Sequence, residues 1–551
     1  GDLAGCPKVE IVNAGDFLRE MEATAVEPPT HRGELYLELH RGTLTNQHTI
    51  KRNNRKAEIA LHDLELAEVL TALEAGRPAD QAAIDPLWET LLVNQFHDIL
   101  PGTCIQPAHE QAEREVAGVI ADAQAAARAL LATEDSGSVT LLNPLGFARE
   151  DTLYLPAEQL PRAAGAVYQP TETVEGAPCW AVDGVSLPGF AAAAYPVETA
   201  PAATGASPFR YDGNTLETPF AALAFDENGF IASFLDKRLD RELRAADGLP
   251  LNTFLFGEDM PADWDNWDVD ADLQLKLAPA GELLSRQVVS DGAVEFRLRS
   301  EYRLSEKTTL TQDLVCHARS PRIDFETVIR WQDRHRFLKA AFDLDFRADF
   351  ARNEIQFGHV LRPTTRNTEQ EQAKFEVCNH RWTDLSELDQ GAAVLNDCKY
   401  GVTVEGGSIR LSLHKGGCRP DDRGDAGTHR FTYSFFPHAE GFSPAVVREA
   451  QLLNLPPVAV SGSHPLASLC TVDKPNVLLD TVKPCQDSDR AFILRLYESA
   501  GVHTRAALSI PAARSIQPCS MLEEPQGEPL PGGECQLTLT PFHVQTLKIT
   551  Y

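Results

Sequence analysis

The stretch "DPLWETLLVNQFHDILPG", residues 85–102, predicts one helix together with its end. Asp85 can cap a helix and Pro86 is well suited to the first helical turn, so we expect the helix to begin there. At its far end His97 and Asp98 stand side by side, and the following "PG" stops the helix. The stretch therefore raises the question of why an apolar helix would end in an imidazole beside a carboxylate.

Two more helices are predicted on either side of this one. The first runs from about Arg52 to Ala75 and stops at "GRP", and the other runs from about Pro107 to Thr133. Both repeat apolar residues at three- and four-residue spacing, which is typical of amphipathic helices. Three such helices with short connections predict a three-helix bundle, which we place at residues 46–136.

The first 45 residues mix short strand and helix patterns. "KVEIVN" (8–13) is typical of a strand and "AGDFLREMEA" (14–23) of a helix, while "GELYLELH" (33–40) alternates apolar and polar residues. Alternation with period two predicts a strand that has one polar face. Because the chain also starts without methionine, we expect residues 1–45 to be the remnant of an α/β domain.

From Ser138 onward the chain changes to short β-rich runs separated by Gly, Pro, Asn and Asp. Examples are "VTLLN", "DTLYL", "AALAF", "LQLKL", "VEFRLRS", "IDFETVIRW" and "LTLTPFHVQTLKITY". Runs of this length predict antiparallel β-sandwich modules. We divide them into a large region, residues 137–480, and a C-terminal part, residues 481–551. The predicted fold class is thus multidomain α+β.

Charge and cysteine usage limit the classes of partner and the compartment. The 551 residues carry a formal charge of -30, which repels nucleic acid and anionic membranes and suits a neutral partner such as a sugar. The eleven cysteines form no C-x-x-C pair, which is typical of a reduced, cytoplasmic protein. Neither a membrane-spanning run nor a signal peptide is evident. Self-association into a homo-oligomer stays open.

His97 and Asp98 have two interpretations from their residue types alone. Neutral imidazole is a common zinc ligand, and a neighbouring carboxylate can ligate, orient another group or hold a hydroxyl. Alternatively, a histidine at the end of a helix caps free carbonyls and interacts with the helix dipole. A zinc site needs three or four ligands, and the chain has no H-E-x-x-H, H-x-D or G-x-S-x-G motif to complete one.

A second cluster of interest is "WDNWD", which places Trp264 and Trp267 among three aspartates. Aromatic rings stack on sugars while carboxylates hold hydroxyls, so the cluster could contact carbohydrate. Packing in a core or an interface is the other interpretation.

Five ordered segments carry a resemblance to a known family. They are "GELYLELHRGTLTNQHTIKRNNRKAE", "NQFHDILPGT", "FEVCNHRWTDLSE", "AAVLNDCKYG" and "HRFTYSFFPH". In this order they resemble the α-mannosidases of glycoside hydrolase family 38, in the branch with bacterial and vacuolar or cytosolic members. The resemblance implies that this chain is the C-terminal portion of such an enzyme and lacks most of the catalytic α/β domain.

The resemblance also implies roles for particular residues. His97 corresponds to one of the ligands of a single zinc ion, and Asp98 to a carboxylate that contacts substrate hydroxyls. Arg41 follows the "GELYLELH" segment at an active-site loop, and Arg423 lies in a loop of the β-region, so both become candidate substrate-binding residues. The other zinc ligands, the nucleophile and the general acid belong to the N-terminal part, so no catalytic residue is assigned to this chain.

The expected reaction is retaining hydrolysis of terminal α-D-mannosyl residues of oligosaccharides, carried out together with the absent N-terminal catalytic domain. Zinc is the expected cofactor and an α-mannoside oligosaccharide the expected substrate. The alternative is a stand-alone carbohydrate-binding or scaffolding β-sandwich module without catalysis.

Overall fold

A computed structural model describes residues 3–135, 137–199, 201 and 205–551 of the chain. The chain divides into two compact units, Gly1–Leu37 and Glu38–Tyr551.

The first unit contains the helix α1, Ala14–Thr24, which confirms the helix predicted from "AGDFLREMEA". The side chain of its N-cap Asn13 accepts a hydrogen bond from the Gly15 N–H at 2.9 Å. The strands predicted from "KVEIVN" and "GELYLELH" are wrong, because residues 8–13 and 33–40 are not assigned to strands. Alternation predicts a strand only where one face is buried. Leu35 and Leu37 are instead 87% and 62% exposed.

The second unit begins with a 3-10 turn, Arg41–Leu44, and the predicted three-helix bundle. The bundle helices are α2 (His48–Ala75), α3 (Gln81–Asn94) and α4 (Gln106–Leu131). As the "GRP" signal predicts, α2 ends at Gly76, whose backbone φ of 62° lies in the left-handed region that glycine adopts without strain.

The predicted start of α3 is wrong by one turn. Asp80, not Asp85, is the N-cap, and its side chain accepts a hydrogen bond from the Ala83 N–H at 3.1 Å. Pro86 therefore lies inside the helix. Asp85 instead accepts a hydrogen bond from the Gln81 side chain at 2.5 Å. A carboxylate one turn earlier takes the capping position because it satisfies a free N–H of the first turn.

Short helices and many strands make up the rest of the described chain. The helices are α5 (Leu273–Lys276), α6 (Glu369–Ala373), α7 (Pro444–Asn454) and a 3-10 turn, Ala157–Gln159. The first strands are β1 (Ser138–Asn143), β2 (Leu153–Leu155), β3 (Val167–Glu172), β4 (Pro178–Asp183), β5 (Ala191–Pro196), β6 (Arg210–Tyr211), β7 (Thr215–Glu217), β8 (Ala221–Phe225), β9 (Ile231–Asp236), β10 (Arg241–Glu242), β11 (Thr253–Glu258) and β12 (Ala278–Ala280).

The long strands of the central region follow. They are β13 (Glu282–Asp291), β14 (Glu295–Arg303), β15 (Thr309–His317), β16 (Ile323–Trp331), β17 (Arg336–Asp343), β18 (Phe350–Ile355), β19 (Gly358–Pro363), β20 (Val377–Cys378), β21 (Trp382–Ser386), β22 (Gly391–Asn396), β23 (Gly401–Glu405), β24 (Ser408–Lys415) and β25 (Gly427–His438). The last strands are β26 (Val458–Ser461), β27 (Thr471–Val472), β28 (Val477–Pro484), β29 (Ala491–Glu498), β30 (Thr504–Cys519), β31 (Leu530–Leu539) and β32 (Val544–Thr550).

These strands form antiparallel sheets, as predicted for the β-region. The largest has nine strands in the order β13-β14-β15-β16-β25-β22-β21-β18-β19, and a six-stranded sheet has the order β12-β11-β17-β24-β23-β20. A second six-stranded sheet, β27-β30-β32-β29-β28 with β31 beside β30, contains the C-terminal strands. Smaller sheets have the orders β26-β1-β5, β2-β4-β3 and β10-β9-β8-β7-β6. The fold class, multidomain α+β, is confirmed.

One predicted strand is a helix instead. "LQLKL" forms α5, in which Leu273 is buried while Leu275 is 88% exposed. A strand would place these two leucines on the same face, and so does not match this burial. An ion pair of 2.8 Å between Lys276 and Asp272 has the i, i+4 spacing that stabilises a helical turn.

The bundle and the C-terminal sheet share one hydrophobic core. Leu61 and Leu64 of α2 belong to the same buried cluster as Leu494 of β29 and Leu547 of β32. The helices are therefore fixed to the β-region by apolar packing, which is the dominant favourable contribution to folding. This packing fixes α2 and α3 to the β-region, and with them the positions at which the loops before α2 and after α3 begin.

Candidate active-site surface

His97 lies in a turn that follows α3 rather than in the helix itself. The helix ends at Asn94, and the backbone N–H of Gln95 caps it by donating to the carbonyls of Leu92 and Val93. Tight backbone hydrogen bonds continue through the turn, from Ile99 N to Phe96 O at 2.9 Å and from Thr103 N to Asp98 O at 3.0 Å. The capping role is thus filled by Gln95, and the His97 ring projects from a hydrogen-bonded turn.

The His97 side chain is 76% exposed and the Asp98 side chain 41% exposed. His97 Nε2 lies 3.4 Å from Asp98 Oδ2, and the Phe96 ring centroid lies 4.3 Å from the His97 ring centroid. Thr103 Oγ1 donates a hydrogen bond of 2.7 Å to Asp98 Oδ1. One carboxylate oxygen is therefore held by Thr103, while the other faces the imidazole.

A buried lysine fixes the end of this turn. Lys51 Nζ donates to the carbonyls of Leu100 and Pro101 at 3.2 and 3.1 Å, and to Asn46 Oδ1 at 2.9 Å. Burial lowers the pKa of Lys51 to about 7. Sequence reasoning missed Lys51, because a lysine on an amphipathic helix normally indicates a solvated face. Its place near the start of α2, opposite the "PG" stop, becomes visible only in the fold.

Two buried asparagines bind the same turn from other loops. Asn46 Nδ2 donates to Gly102 O at 3.2 Å, and Asn266 Nδ2 donates to the same oxygen at 3.1 Å. The Asn266 backbone N–H in turn donates to Arg419 O at 3.1 Å, and the Gly42 N–H donates to Trp267 O at 2.9 Å. The loops that contain "HDILPG", "WDNWD" and residues 41–46 are therefore joined by hydrogen bonds.

Gly102 is needed at its position because the backbone and the neighbours exclude a side chain. Its φ is +79°, and a Cβ there would lie 2.5 Å from Asn46 Oδ1 and 2.8 Å from Gln47 Cβ. We expect Gly102→Ala to lower the free energy of unfolding by about 1–3 kcal/mol, the range for backbone strain of this kind. Gly118→Ala is the matched control, since a Cβ there meets nothing within 4 Å on helix α4. Urea unfolding of both variants measures the difference, and equal midpoints would contradict the prediction.

Arg41 is held by the β-region. Its guanidinium donates to the carbonyls of Glu38 and Ala373, the latter at 2.9 Å, and lies 4.4 Å from the centroid of the Phe375 ring. This cation–π contact fixes the side chain against the strand-rich part of the second unit.

Arg423 is also held by neighbouring groups. Its Nε donates to Asp421 Oδ1 at 3.0 Å, and its Nη1 lies 3.5 Å from Glu110 Oε1. Asp421 is fully buried and lies 2.8 Å from His109 Nδ1. Although burial opposes it, hydrogen bonding from Arg423 and His109 lowers the pKa of Asp421 to about 2. Arg423 is thus oriented by a carboxylate that stays ionised.

The predicted site residues are therefore brought together only in part. His97 and Asp98 are neighbours, whereas Arg41 and Arg423 bind the Ala373 carbonyl and the Asp421 carboxylate. Both arginine side chains are partly exposed. Arg41 lies next to the "WDNWD" loop, and Arg423 lies next to the start of α4.

This surface supplies only part of the ligand set that a metal site requires. His97 offers an exposed ring nitrogen, yet a tetrahedral zinc site needs three or four donors. Within the described ranges, the groups of three candidate ligands lying within 4.8 Å of one another do not include His97. They are Asp265/His335/Cys418, His414/Asp425/His429 and Cys485/Asp487/Glu523. A metal bound at His97 would take further ligands from outside these residues.

Family models match three regions of the chain. The "Alpha mannosidase middle domain" matches residues 38–133, and the "Glycosyl hydrolases family 38 C-terminal domain" matches residues 216–423. The chain belongs to glycoside hydrolase family 38. A third model, the family 38 "C-terminal beta sandwich domain", matches residues 476–547. The resemblance read from the five sequence segments is confirmed, and the family regions carried here are the middle and C-terminal ones.

Relatives in the family are named as α-mannosidases. The chain is 34% identical to "Alpha-mannosidase 2C1" of Homo sapiens over 569 residues, which covers 98% of this chain and 53% of the human protein. It is 31% identical to "Alpha-mannosidase G" of Dictyostelium discoideum, covering 95% of this chain and 53% of that protein. The chain thus spans about half the length of these relatives.

A solved structure has the same fold. The crystal structure of an α-mannosidase from Enterococcus faecalis superimposes with a TM-score of 0.78 at 15% sequence identity. The match covers 98% of this chain and 72% of the other. The arrangement of bundle and β-region therefore recurs in that α-mannosidase at low sequence identity.

Proposed function

We propose that this chain forms the middle and C-terminal portion of a zinc-dependent retaining α-mannosidase that hydrolyses terminal α-D-mannosyl residues of oligosaccharides. The observation that carries the proposal is the exposed His97–Asp98 pair on a hydrogen-bonded turn, in a family 38 chain whose relatives are named α-mannosidases. The nucleophile and the general acid would come from an N-terminal catalytic domain.

In this proposal His97 supplies one zinc ligand and Asp98 a substrate contact. Bound zinc acts as a template and Lewis acid for sugar hydroxyls. The chain's own contribution is to fix the backbone of the turn that carries His97, through the hydrogen bonds of Lys51 and Asn46 to the carbonyls of residues 100–102. Asp98 Oδ2 is able to accept a hydrogen bond from a sugar hydroxyl because Thr103 already occupies Oδ1.

The surface around His97 supports the idea of a further domain that covers it. Leu92, Val93, Phe96 and Ile105 are 57%, 68%, 59% and 58% exposed. Large apolar side chains grouped in this way mark surfaces that bind another protein part. A catalytic domain packed here would bury them and bring its own metal ligands to His97.

Arg41 and Arg423 are proposed as substrate-binding residues at the rim of this surface. Each is oriented by a fixed partner, Phe375 and Asp421 respectively. A guanidinium that is held in place loses little conformational entropy when it binds a hydroxyl. The proposed domains are an α/β remnant at 1–45, the bundle at 46–136, and the β-sandwich regions at 137–480 and 481–551.

We also propose a reducing, cytoplasmic setting without nucleic acid or membrane partners. All eleven cysteines are free thiols, which supports such a compartment. Among the described helices, none has the length and apolar character needed to cross a membrane.

An activity assay tests the proposal. We expect the 551-residue chain to leave an aryl α-D-mannoside intact, and the same chain extended by the sequence encoded upstream of Gly1 to hydrolyse it. Strong hydrolysis by the chain alone would contradict the proposal that the nucleophile and the general acid come from an N-terminal catalytic domain. Mannoside binding by the chain without hydrolysis by the extended form would favour the carbohydrate-binding module instead.

A further inference from the structure

Asp265, His335 and Cys418 converge at a site separate from His97. Asp265 belongs to the "WDNWD" loop, His335 lies between β16 and β17, and Cys418 follows β24. One ligand atom from each lies within 4.8 Å of the other two. Asp265 and His335 also line a pocket of about 360 Å³ together with Trp264 and Arg419.

The distance between the acid and the base does not fit a hydrogen bond. His335 Nδ1 lies 3.7 Å from Asp265 Oδ1, beyond the usual 2.7–3.2 Å range. Both atoms are buried and have no hydrogen-bond partner. Two ligands of one tetrahedral zinc ion lie about 3.4 Å apart, given zinc–ligand bonds of about 2.1 Å. The observed distance is close to that expected for two groups that share a metal ion.

The surrounding backbone orients the three groups. The Cys418 N–H donates to Asp265 Oδ2 at 2.7 Å, which leaves Oδ1 directed toward His335. His335 has a left-handed φ of 51°, and its backbone N–H donates to Gly416 O at 2.7 Å. The His335 carbonyl accepts from the Asp259 N–H at 2.9 Å. Backbone strain held in place by such bonds is typical of a functional site.

Charge and ligand type favour a transition metal. Asp263 and Asp265 line the pocket together with one permanently charged cation, Arg419, so the acidic side chains outnumber the basic one. Thiolate, imidazole and carboxylate together form a ligand set that zinc accepts and that hard ions such as magnesium do not select. Three protein ligands with a fourth position facing a pocket match an open zinc site rather than a closed structural one.

We propose that Asp265 Oδ1, His335 Nδ1 and Cys418 Sγ bind one Zn²⁺ ion, with a water or small ligand from the pocket as the fourth ligand. Cys418 loses its thiol proton to solvent when the metal binds, and no electron transfer is involved. The site does not depend on His97 or on the proposed mannosidase activity.

Cobalt provides the decisive probe, because a cobalt–thiolate bond absorbs in the near ultraviolet and a site without sulfur does not. We expect the reduced chain to take up one equivalent of Co²⁺ with this absorption, and Zn²⁺ to displace it. Cys418→Ser should abolish the band. The matched control Cys179→Ser, a half-buried cysteine elsewhere, should retain it, and so should His97→Ala.

A second variant tests the site without touching the thiol. His335→Gln should weaken Zn²⁺ binding at least about 10-fold and remove the rise in melting temperature that Zn²⁺ causes in the parent chain. This variant keeps the test valid if Cys418→Ser fails to fold. A band that survives Cys418→Ser, or no band at saturating Co²⁺, would overturn the site and show that His335 and Asp265 form only a long ion pair.

Discussion

His97→Ala in the chain extended upstream of Gly1 should lower kcat/KM for an aryl α-D-mannoside at least about 100-fold. The same change should remove one equivalent of bound zinc. The reason is that the proposal assigns the exposed His97 ring, on a turn fixed by Lys51, Asn46 and Asn266, to the metal, so its loss removes one ligand of the proposed set. Metal analysis and steady-state kinetics on the same preparation measure both effects.

The matched control for this prediction is His503→Ala, which removes an exposed histidine from a turn in the C-terminal sheet. It should leave zinc content and kcat/KM unchanged. The cobalt–thiolate band assigned to Cys418 should survive His97→Ala, so the two metal sites are distinguished within one experiment. Unchanged zinc stoichiometry and activity in His97→Ala would rule out His97 as a ligand.

Helix and strand patterns predicted most of the fold because burial imposes a period on the sequence. Leu61 and Leu64 belong to the stripe of α2 that packs against the C-terminal sheet, and "IDFETVIRW" coincides with β16. The pattern was misleading where burial did not match it. Leu35 and Leu37 alternate yet are exposed, and "LQLKL" has one buried and one exposed leucine.

The candidate site was predictable only where the signal was local. The "PG" stop after His97 and Asp98 indicates an exposed turn without knowledge of the fold. Lys51 reaches the same turn from residues about fifty positions away, and Asn266 from a separate loop. Contacts of this kind depend on how the bundle and the β-region pack, so no spacing in the sequence reports them.

The proposed metal site of Asp265, His335 and Cys418 likewise could not be recognised from the sequence. Zinc motifs are recognisable in sequence when their ligands lie a few residues apart. Here the ligands come from three loops. Strands β11, β17 and β24 are neighbours in one antiparallel sheet, so the loops after β11, before β17 and after β24 lie at the same end of these strands. The sequence therefore gives no motif for the site.

A buried histidine cluster at the start of α2 leads to the second large prediction. The His48 backbone N–H donates to Asp425 Oδ2 at 2.8 Å, and His414 Nε2 lies 3.2 Å from the same oxygen. Lys399 Nζ lies 2.7 Å from His48 Nδ1, and the His414 and His429 rings are 4.7 Å apart. The cluster joins the bundle to β24 and β25, so charging it weakens the contact between the two regions.

Burial, together with Lys399 and the neighbouring histidines, holds the pKa values of His48 and His414 well below 6.5. Below pH 6.5 the unfolded chain therefore binds protons that the folded chain does not, and stability falls as the pH falls. The slope that each such histidine contributes approaches about 1.4 kcal/mol per pH unit once the pH is well below 6.5. Burial lowers the pKa of Lys399 to about 8, so Lys399 changes the dependence of stability on pH only at pH values above this range.

His414→Leu isolates the effect of one histidine. Its unfolding free energy should fall by about 1 kcal/mol less per pH unit, averaged between pH 6.5 and 5, than that of the parent chain. The comparison is needed because Glu65, whose pKa burial raises to about 7, titrates in the same window with the opposite sign in both proteins. His503→Leu, at an exposed site, should keep the parent slope. Parallel curves for His414→Leu and the parent chain would show that His414 takes up its proton in the folded state, contrary to the burial argument.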